Sequence, residues 1–198
     1  MQRRLLIVGL AAELAASRAT AAEPAGEVET SRGECYALAA ATRRALAPAS
    51  EVFVGDAVGT GLQSALGLRL GAATQVRLGA EAQLRIDRFL INAGGVLVLE
   101  RGAMLYDHDD AKGGPHDVTV RSPFGLVAVR GTRFFAGPSN GVFGVFVERG
   151  SVTVVGVQTA VVVTRGLGTN IDRPGSEPTE PAPWGAGRIA GALASVAP

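Results

Sequence analysis

Both histidines and four of the aspartates of this 198-residue chain fall inside one eleven-residue stretch, DHDDAKGGPHD, Asp107 to Asp117. Imidazole and carboxylate are the groups that hold divalent cations, and a cation with an open position turns water into a hydrolytic nucleophile. The spacing argues against that chemistry. There is no HExxH pair, and the alternating acids, central glycine and distal glutamate of a calcium loop are missing. Lys112-Gly113-Gly114-Pro115 is turn chemistry, and a glycine loop holds ligands poorly. The stretch therefore reads as a solvated hairpin loop, with no metal, cofactor or catalytic residue assigned. A metal-dependent hydrolase built on His108, His116 and the neighbouring aspartates is the alternative that the spacing disfavours.

Gly137-Pro138-Ser139-Asn140-Gly141 satisfies the GxSxG pattern of serine hydrolases. That pattern works only on a strained strand-to-helix turn. Here it lies between the strand-like runs RFFA and VFGVFV, and Asn-Gly is a favoured hairpin turn, so a turn is expected. Cys35 is the only cysteine. An internal disulfide, a thiolate zinc cage and a CxxC redox pair are therefore excluded, and a buried or half-buried thiol is expected, with pairing between chains left open.

Arg101-Gly102, Arg130-Gly131, Arg149-Gly150 and Arg165-Gly166 each close a strand-like run. Glycine is expected to take positive φ where the chain turns, while arginine lies along the sheet rim with its stem packed and its head in water. If those turns stack, the four guanidinium groups form a rim able to meet an acidic partner or a polysaccharide.

The elements that must position these residues follow from period and composition. Hydrophobic residues make up 47% of the chain and charged ones 19%, enough apolar material for one domain with a core. The net charge of +1 lacks the basic excess that a phosphate backbone demands, which argues against nucleic acid as a partner. Between Glu51 and Ile171, apolar residues alternate with polar ones or glycine in short runs with turn residues between them, the pattern of an all-β domain. Ala37–Ala47 is alanine-rich and ends at Pro48, so a short N-terminal helix is expected there. After Asp172 the run RPGSEPTEPAPWG predicts a proline-rich, solvated linker. Residues 172–198 are expected to form an irregular C-terminal tail, although Ile189, Leu193 and Val196 have helical spacing.

At the N-terminus, Arg3 and Arg4 precede the apolar run Leu5 to Ala12, and Ala19-Thr20-Ala21 offers small residues for cleavage. Residues 1–22 thus read as a signal peptide, which predicts a periplasmic or secreted protein, by either the general or the twin-arginine route. The apolar run is too short to cross a bilayer, and no other stretch approaches the ~20 residues a membrane helix needs.

One long stretch resembles a known family. VTVRSPFGLVAVRGTRFFAG followed by GVFGVFVERGSVTV is similar to the FecR domain, named for the periplasmic regulator of ferric-citrate uptake. Val120, Ser122, Pro123 and Gly125 fit its V-x-T/S-P-x-G line. Val129, Gly131, Thr132 and Phe134 fit V-x-G-T-x-F, and Glu148, Gly150 and Val152 fit E-x-G-x-V. Upstream, Gly55, Asp56, Thr60 and Gly61 match the family's opening G-D-x-x-x-T-G turn. The likeness spans residues 26–171 and implies a β-solenoid or sandwich of short strands with glycine turns. Members of the family with a membrane helix relay signals to a cytoplasmic sigma factor, but nothing here resembles an anti-sigma segment. The resemblance therefore implies an exported, non-catalytic binding or sensing module, with a protein or cell-envelope glycan as partner. An exposed edge strand could recruit such a partner by main-chain hydrogen bonds. A structural scaffold or glycan-associated surface protein is the alternative.

Overall fold

A computed structural model describes residues 23–40, 42–90, 94–112 and 118–197. The predicted signal segment, His116 and Asp117 lie outside the described residues. Among the described residues, sixteen strands form one continuous sheet. They are β1 (Pro24–Arg32), β2 (Cys35–Ala39), β3 (Thr42–Ala45), β4 (Glu51–Phe53), β5 (Ala57–Thr60), β6 (Ala65–Leu70), β7 (Thr74–Leu78) and β8 (Gln83–Leu90). There follow β9 (Gly94–Arg101), β10 (Met104–His108), β11 (Val118–Ser122), β12 (Gly125–Ser139), β13 (Val142–Val155), β14 (Ala160–Thr164), β15 (Leu167–Ile171) and β16 (Ala182–Pro183). A single helix, α1 (Ala186–Ala194), closes the described chain.

The sheet folds over on itself because β12 and β13 are long and bent. Val127 and Val129 of β12 pair with Val154 and Val152 of β13, whereas Phe134 to Ser139 pair with Val147 to Val142, with register shifts between Arg130 and Phe134. The first halves and second halves therefore belong to two leaves. One leaf runs β3-β2-β5-β8-β9-β11-β12-β13-β14, and the other runs β4-β1-β6-β7-β10-β12-β13-β15-β16. Neighbours are antiparallel except for the parallel pair β9–β11. Of the arrangements the sequence leaves open, this is the sandwich, not a stack of parallel rungs.

Period-two alternation explains the core. In β7, Thr74, Val76 and Leu78 are buried while Gln75 and Arg77 are half-exposed. Leu84, Leu97, Val120 and Val127 of the first leaf join Leu68, Val76, Tyr106, Phe134 and Val145 of the second in one apolar cluster between them. On the outer face of the second leaf, Leu105, Phe135 and Phe146 form a second, smaller core with Trp184, Ala192 and Val196.

Two expectations need correction. Residues 37–40 and 42–47 are not helical: β2 and β3 pair antiparallel, and β2 also pairs with β5. Cys35 and Ala37 face the core while Tyr36 and Leu38 are half-exposed, so burial with period two overrides the helix propensity of alanine. The C-terminal tail is not a loose appendage either. Ala182 and Pro183 pair with Gly168 and Leu167, and α1 with the turn after it brings Ile189, Ala192, Leu193 and Val196 onto the outer core. Removing that apolar stripe and the Trp184 indole from water fixes a segment whose prolines, read alone, suggested a solvated linker.

Candidate functional site

The histidine and aspartate stretch begins inside a strand. Asp107 and His108 end β10, and a short 3-10 turn follows at Asp110–Lys112. His108 is buried, with Nδ1 3.0 Å from Thr74 Oγ1. Its place in the core corrects the expectation that this end of the stretch is solvated: His108 continues the inward set of Met104 and Tyr106. Asp107 points the other way and is held by two guanidinium groups. Arg133 donates to its Oδ2 at 2.6 Å and Arg149 to its Oδ1 at 2.8 Å. Arg133 also donates to Glu148 at 2.7 Å, and Arg149 to the His108 carbonyl at 2.7 Å. Burial works against the Arg133 charge, but its hydrogen bonds to Glu148 and Asp107 outweigh that and hold its pKa above the usual guanidinium value. Among the described residues, no cluster of His, Cys, Asp or Glu could hold a metal ion.

The GxSxG stretch is a hairpin turn. Ser139 pairs with Val142 across Asn140 (φ +54°) and Gly141 (φ +81°), and the Ser139 hydroxyl accepts a hydrogen bond from Arg188 Nε at 3.0 Å. Cys35 is buried, its Sγ 3.3 Å from the Ala65 carbonyl. Burial pushes its thiol pKa up, a backbone hydrogen bond at Arg32 opposes this, and the Glu34 charge adds to the rise.

The residues that carry the family likeness are turn and core devices. The buried Asp56 carboxylate accepts from the Phe53 amide at 3.0 Å and from the Arg44 guanidinium. Thr60 donates to the Gly79 carbonyl at 2.6 Å and accepts from the Ala82 amide at 2.9 Å, tying β5 to the β7–β8 connection. The Gly61 amide donates to the Glu34 carbonyl at 2.8 Å. Gly55 ends the turn before Asp56, and Pro123 opens the β11–β12 turn that Gly125 closes by pairing with Ser122, whose hydroxyl accepts from the Phe124 amide at 3.2 Å. Phe134 is fully buried beside Tyr106, ring centroids 5.4 Å apart.

All four glycines of the Arg-Gly pairs have positive φ: +79° at Gly102, +60° at Gly131, +80° at Gly150 and +82° at Gly166. By backbone position the four arginines fall in two places. Arg130, Arg149 and Arg165 gather near the bend of β12 and β13, since Arg130 pairs with Ser151 and Ser151 with Thr164. Arg101 lies apart, at the end of β9, its NH2 3.5 Å from the Tyr36 hydroxyl. Arg149 stays on the outer face, exposed, and its hydrogen bonds to Asp107 and the His108 carbonyl tie the bend to the end of β10. The bend needs its glycines: a Cβ on Gly150 would sit 2.5 Å from Thr132 Cγ2 and 2.7 Å from the Gly131 carbonyl oxygen.

What remains as an interaction surface is a strand edge. β3 carries Arg43 and Arg44, β4 is three residues long, and β16 is two residues ending in proline. Charge, shortness and proline are the usual protections of an edge. β14, AVVVT, has none of them, and among the described residues it pairs with β13 alone. The Gly156 amide donates to the Thr159 carbonyl at 2.8 Å and sets the ladder phase. Antiparallel alternation then turns the amides and carbonyls of Ala160, Val162 and Thr164 outward. Val162 is 60% exposed, and Val157 in the adjoining turn is 68% exposed. The Glu177 carboxylate braces that turn, accepting from the Gln158 amide at 2.8 Å and the Thr159 hydroxyl at 2.6 Å. Sequence reasoning placed a strand here but missed that it is an edge. The available signal was an uncharged β-branched run between two turns.

Residues 56–153 match the FecR protein family. Two crystal structures of a protein assigned as an anti-sigma factor from Parabacteroides distasonis have the same fold. They superimpose with TM-scores of 0.57 and 0.56 at 16% identity, covering 69% of this chain. The chain spans 64% and 63% of the length of those two structures. No curated protein matches the chain in sequence.

Proposed function

We propose that this chain is an exported regulatory module of the bacterial envelope, which senses or relays by taking a strand of a protein partner onto the edge of β14. The observation that carries the reading is that edge: five uncharged residues with outward main-chain groups, on a sheet whose other edges are blunted. The FecR domain supports a signalling role, and the signal-like segment at residues 1–22 supports export. Strand addition asks little of side chains, which suits an edge made of alanine, three valines and a threonine.

The test uses protein recovered from cells. The mature chain is expected to begin near Ala22, in the envelope fraction, and to co-purify with a partner that Val162→Pro releases, because a proline there removes an outward amide donor. Full-length protein confined to the cytoplasm, or a partner that Val162→Pro leaves in place, would overturn the reading.

A further inference from the structure

β14 is complementary to itself. If two copies of AVVVT lie antiparallel about a two-fold axis through Val162, Ala160 of each copy comes opposite Thr164 of the other, and no like charges meet. The next residue in each direction is the informative one. Arg165, exposed at one end of β14, comes opposite the partner's Thr159. The Thr159 amide and hydroxyl are held by the Glu177 carboxylate at 3.0 and 2.6 Å. Each guanidinium therefore reaches a carboxylate that its own protomer has already fixed in place, and the two-fold axis makes the contact twice. Hydrogen bonds to the Thr159 hydroxyl and the Gln158 amide hold Glu177 below the usual carboxylate range, so it is charged at neutral pH. Two of the three most exposed large apolar side chains of the described residues, Val157 and Val162, belong to this same edge.

We infer that β14 pairs antiparallel with β14 of a second copy of this chain, joining two first leaves into one sheet across a two-fold axis at Val162. The inference rests on the reading of β14 as the interface and names its occupant. The pairing satisfies the outward amides and carbonyls of Ala160, Val162 and Thr164, and it sets a pair of exposed valines side by side. A strand pair of this length buries less than a standard interface, so the dimer forms and dissociates with concentration. Its Arg165–Glu177 contacts are exposed, so added salt weakens it.

Sedimentation equilibrium of the chain recovered from cells is expected to show a concentration-dependent dimer that loses mass as salt is raised. Val162→Lys, which sets two ammonium groups on the axis, and Arg165→Glu, which faces a carboxylate with a carboxylate, are each expected to leave monomer. Glu177→Arg is expected to do the same, whereas an equimolar mixture of Arg165→Glu and Glu177→Arg is expected to dimerise. Only mutual pairing of the two edges predicts that rescue. Circular dichroism checks that Glu177→Arg is folded; if it is not, Val162→Lys and Arg165→Glu, which leave the turn brace intact, carry the test. A synthetic peptide of residues 159–165, followed by fluorescence anisotropy, separates the two readings. A chain that binds the peptide but stays monomeric at every concentration overturns self-pairing and leaves the edge as a strand acceptor. A chain that neither binds the peptide nor self-associates overturns both. Dimers that persist unchanged in Val162→Lys and Arg165→Glu overturn the proposed register.

Discussion

At the scale of single residues, the side chains with the most chemical promise are occupied with holding the fold. Asp107 is clamped by Arg133 and Arg149, Asp56 by Arg44 and a main-chain amide, and His108 is inside the core. Cys35 behaves the same way and has a measurable signature. Burial raises its thiol pKa above the ordinary value of 9.0. A group with a raised folded-state pKa contributes stability that is complete below the unfolded value and disappears as pH rises through the folded one. Urea unfolding midpoints are therefore expected to fall above about pH 9 in the wild type, more steeply than in Cys35→Ala. The native thiol is expected to react with a disulfide reagent only as fast as the protein opens. Equal pH slopes in the two proteins would show that Cys35 titrates as it does in the unfolded chain.

At the scale of elements, two aromatic rings lie flat on glycines of neighbouring strands, and each is covered by an arginine. Tyr36 sits over Gly59 beneath Arg43, whose guanidinium is 4.0 Å from the ring centre. Trp184 sits over Gly144 and Gly168 beneath Arg188, at 3.5 Å. A Cβ on Gly168 would lie 2.3 Å from the indole nitrogen. Gly168→Ala is therefore expected to lift Trp184, the only tryptophan of the chain, shifting its fluorescence to the red and exposing α1 to protease. Trp184→Ala is expected to cost about 3 kcal/mol in urea unfolding. An unshifted spectrum in Gly168→Ala would mean that the ring is not seated there.

The same elements show what could be read in advance. Strands such as β6, β7 and β11 were legible because they alternate Leu or Val with polar residues or glycine, and β14 because it is a short β-branched run between turns, signals that local sequence alone carries. The GxSxG and Arg-Gly turns were legible because Asn-Gly and the glycines state their own backbone geometry. The strand pair β2–β3 was not, because small alanines report no period and only pairing with β5 decides their conformation. Nor was the docking of α1: its partner face, Leu105, Phe135 and Phe146, is assembled from strands about 40 to 90 residues away in sequence. The β14 edge was hidden for a related reason, since whether a strand has one neighbour or two is a property of topology.

At the scale of the whole molecule, the leaves cannot come apart independently. They share the core between them and also share β12 and β13. The sheet is expected to unfold in one cooperative transition when followed by circular dichroism. Trp184 and α1 cover only the smaller outer core, so tryptophan fluorescence is expected to change at a lower urea concentration than the sheet signal. Coincident curves would show that the C-terminal closure is as stable as the leaves it covers.

The bend also fixes the length of the chain through it. Phe134 fills the inner core and Phe135 the outer one, adjacent residues pointing opposite ways within 15 residues of continuous strand. One extra residue inserted between Gly131 and Arg133 would turn the rest of β12 inside out, driving the Arg133 guanidinium toward Tyr106 and stranding Phe134 beneath Trp184. Insertions of that kind are forbidden at the crease, because every later facing of β12 reverses together.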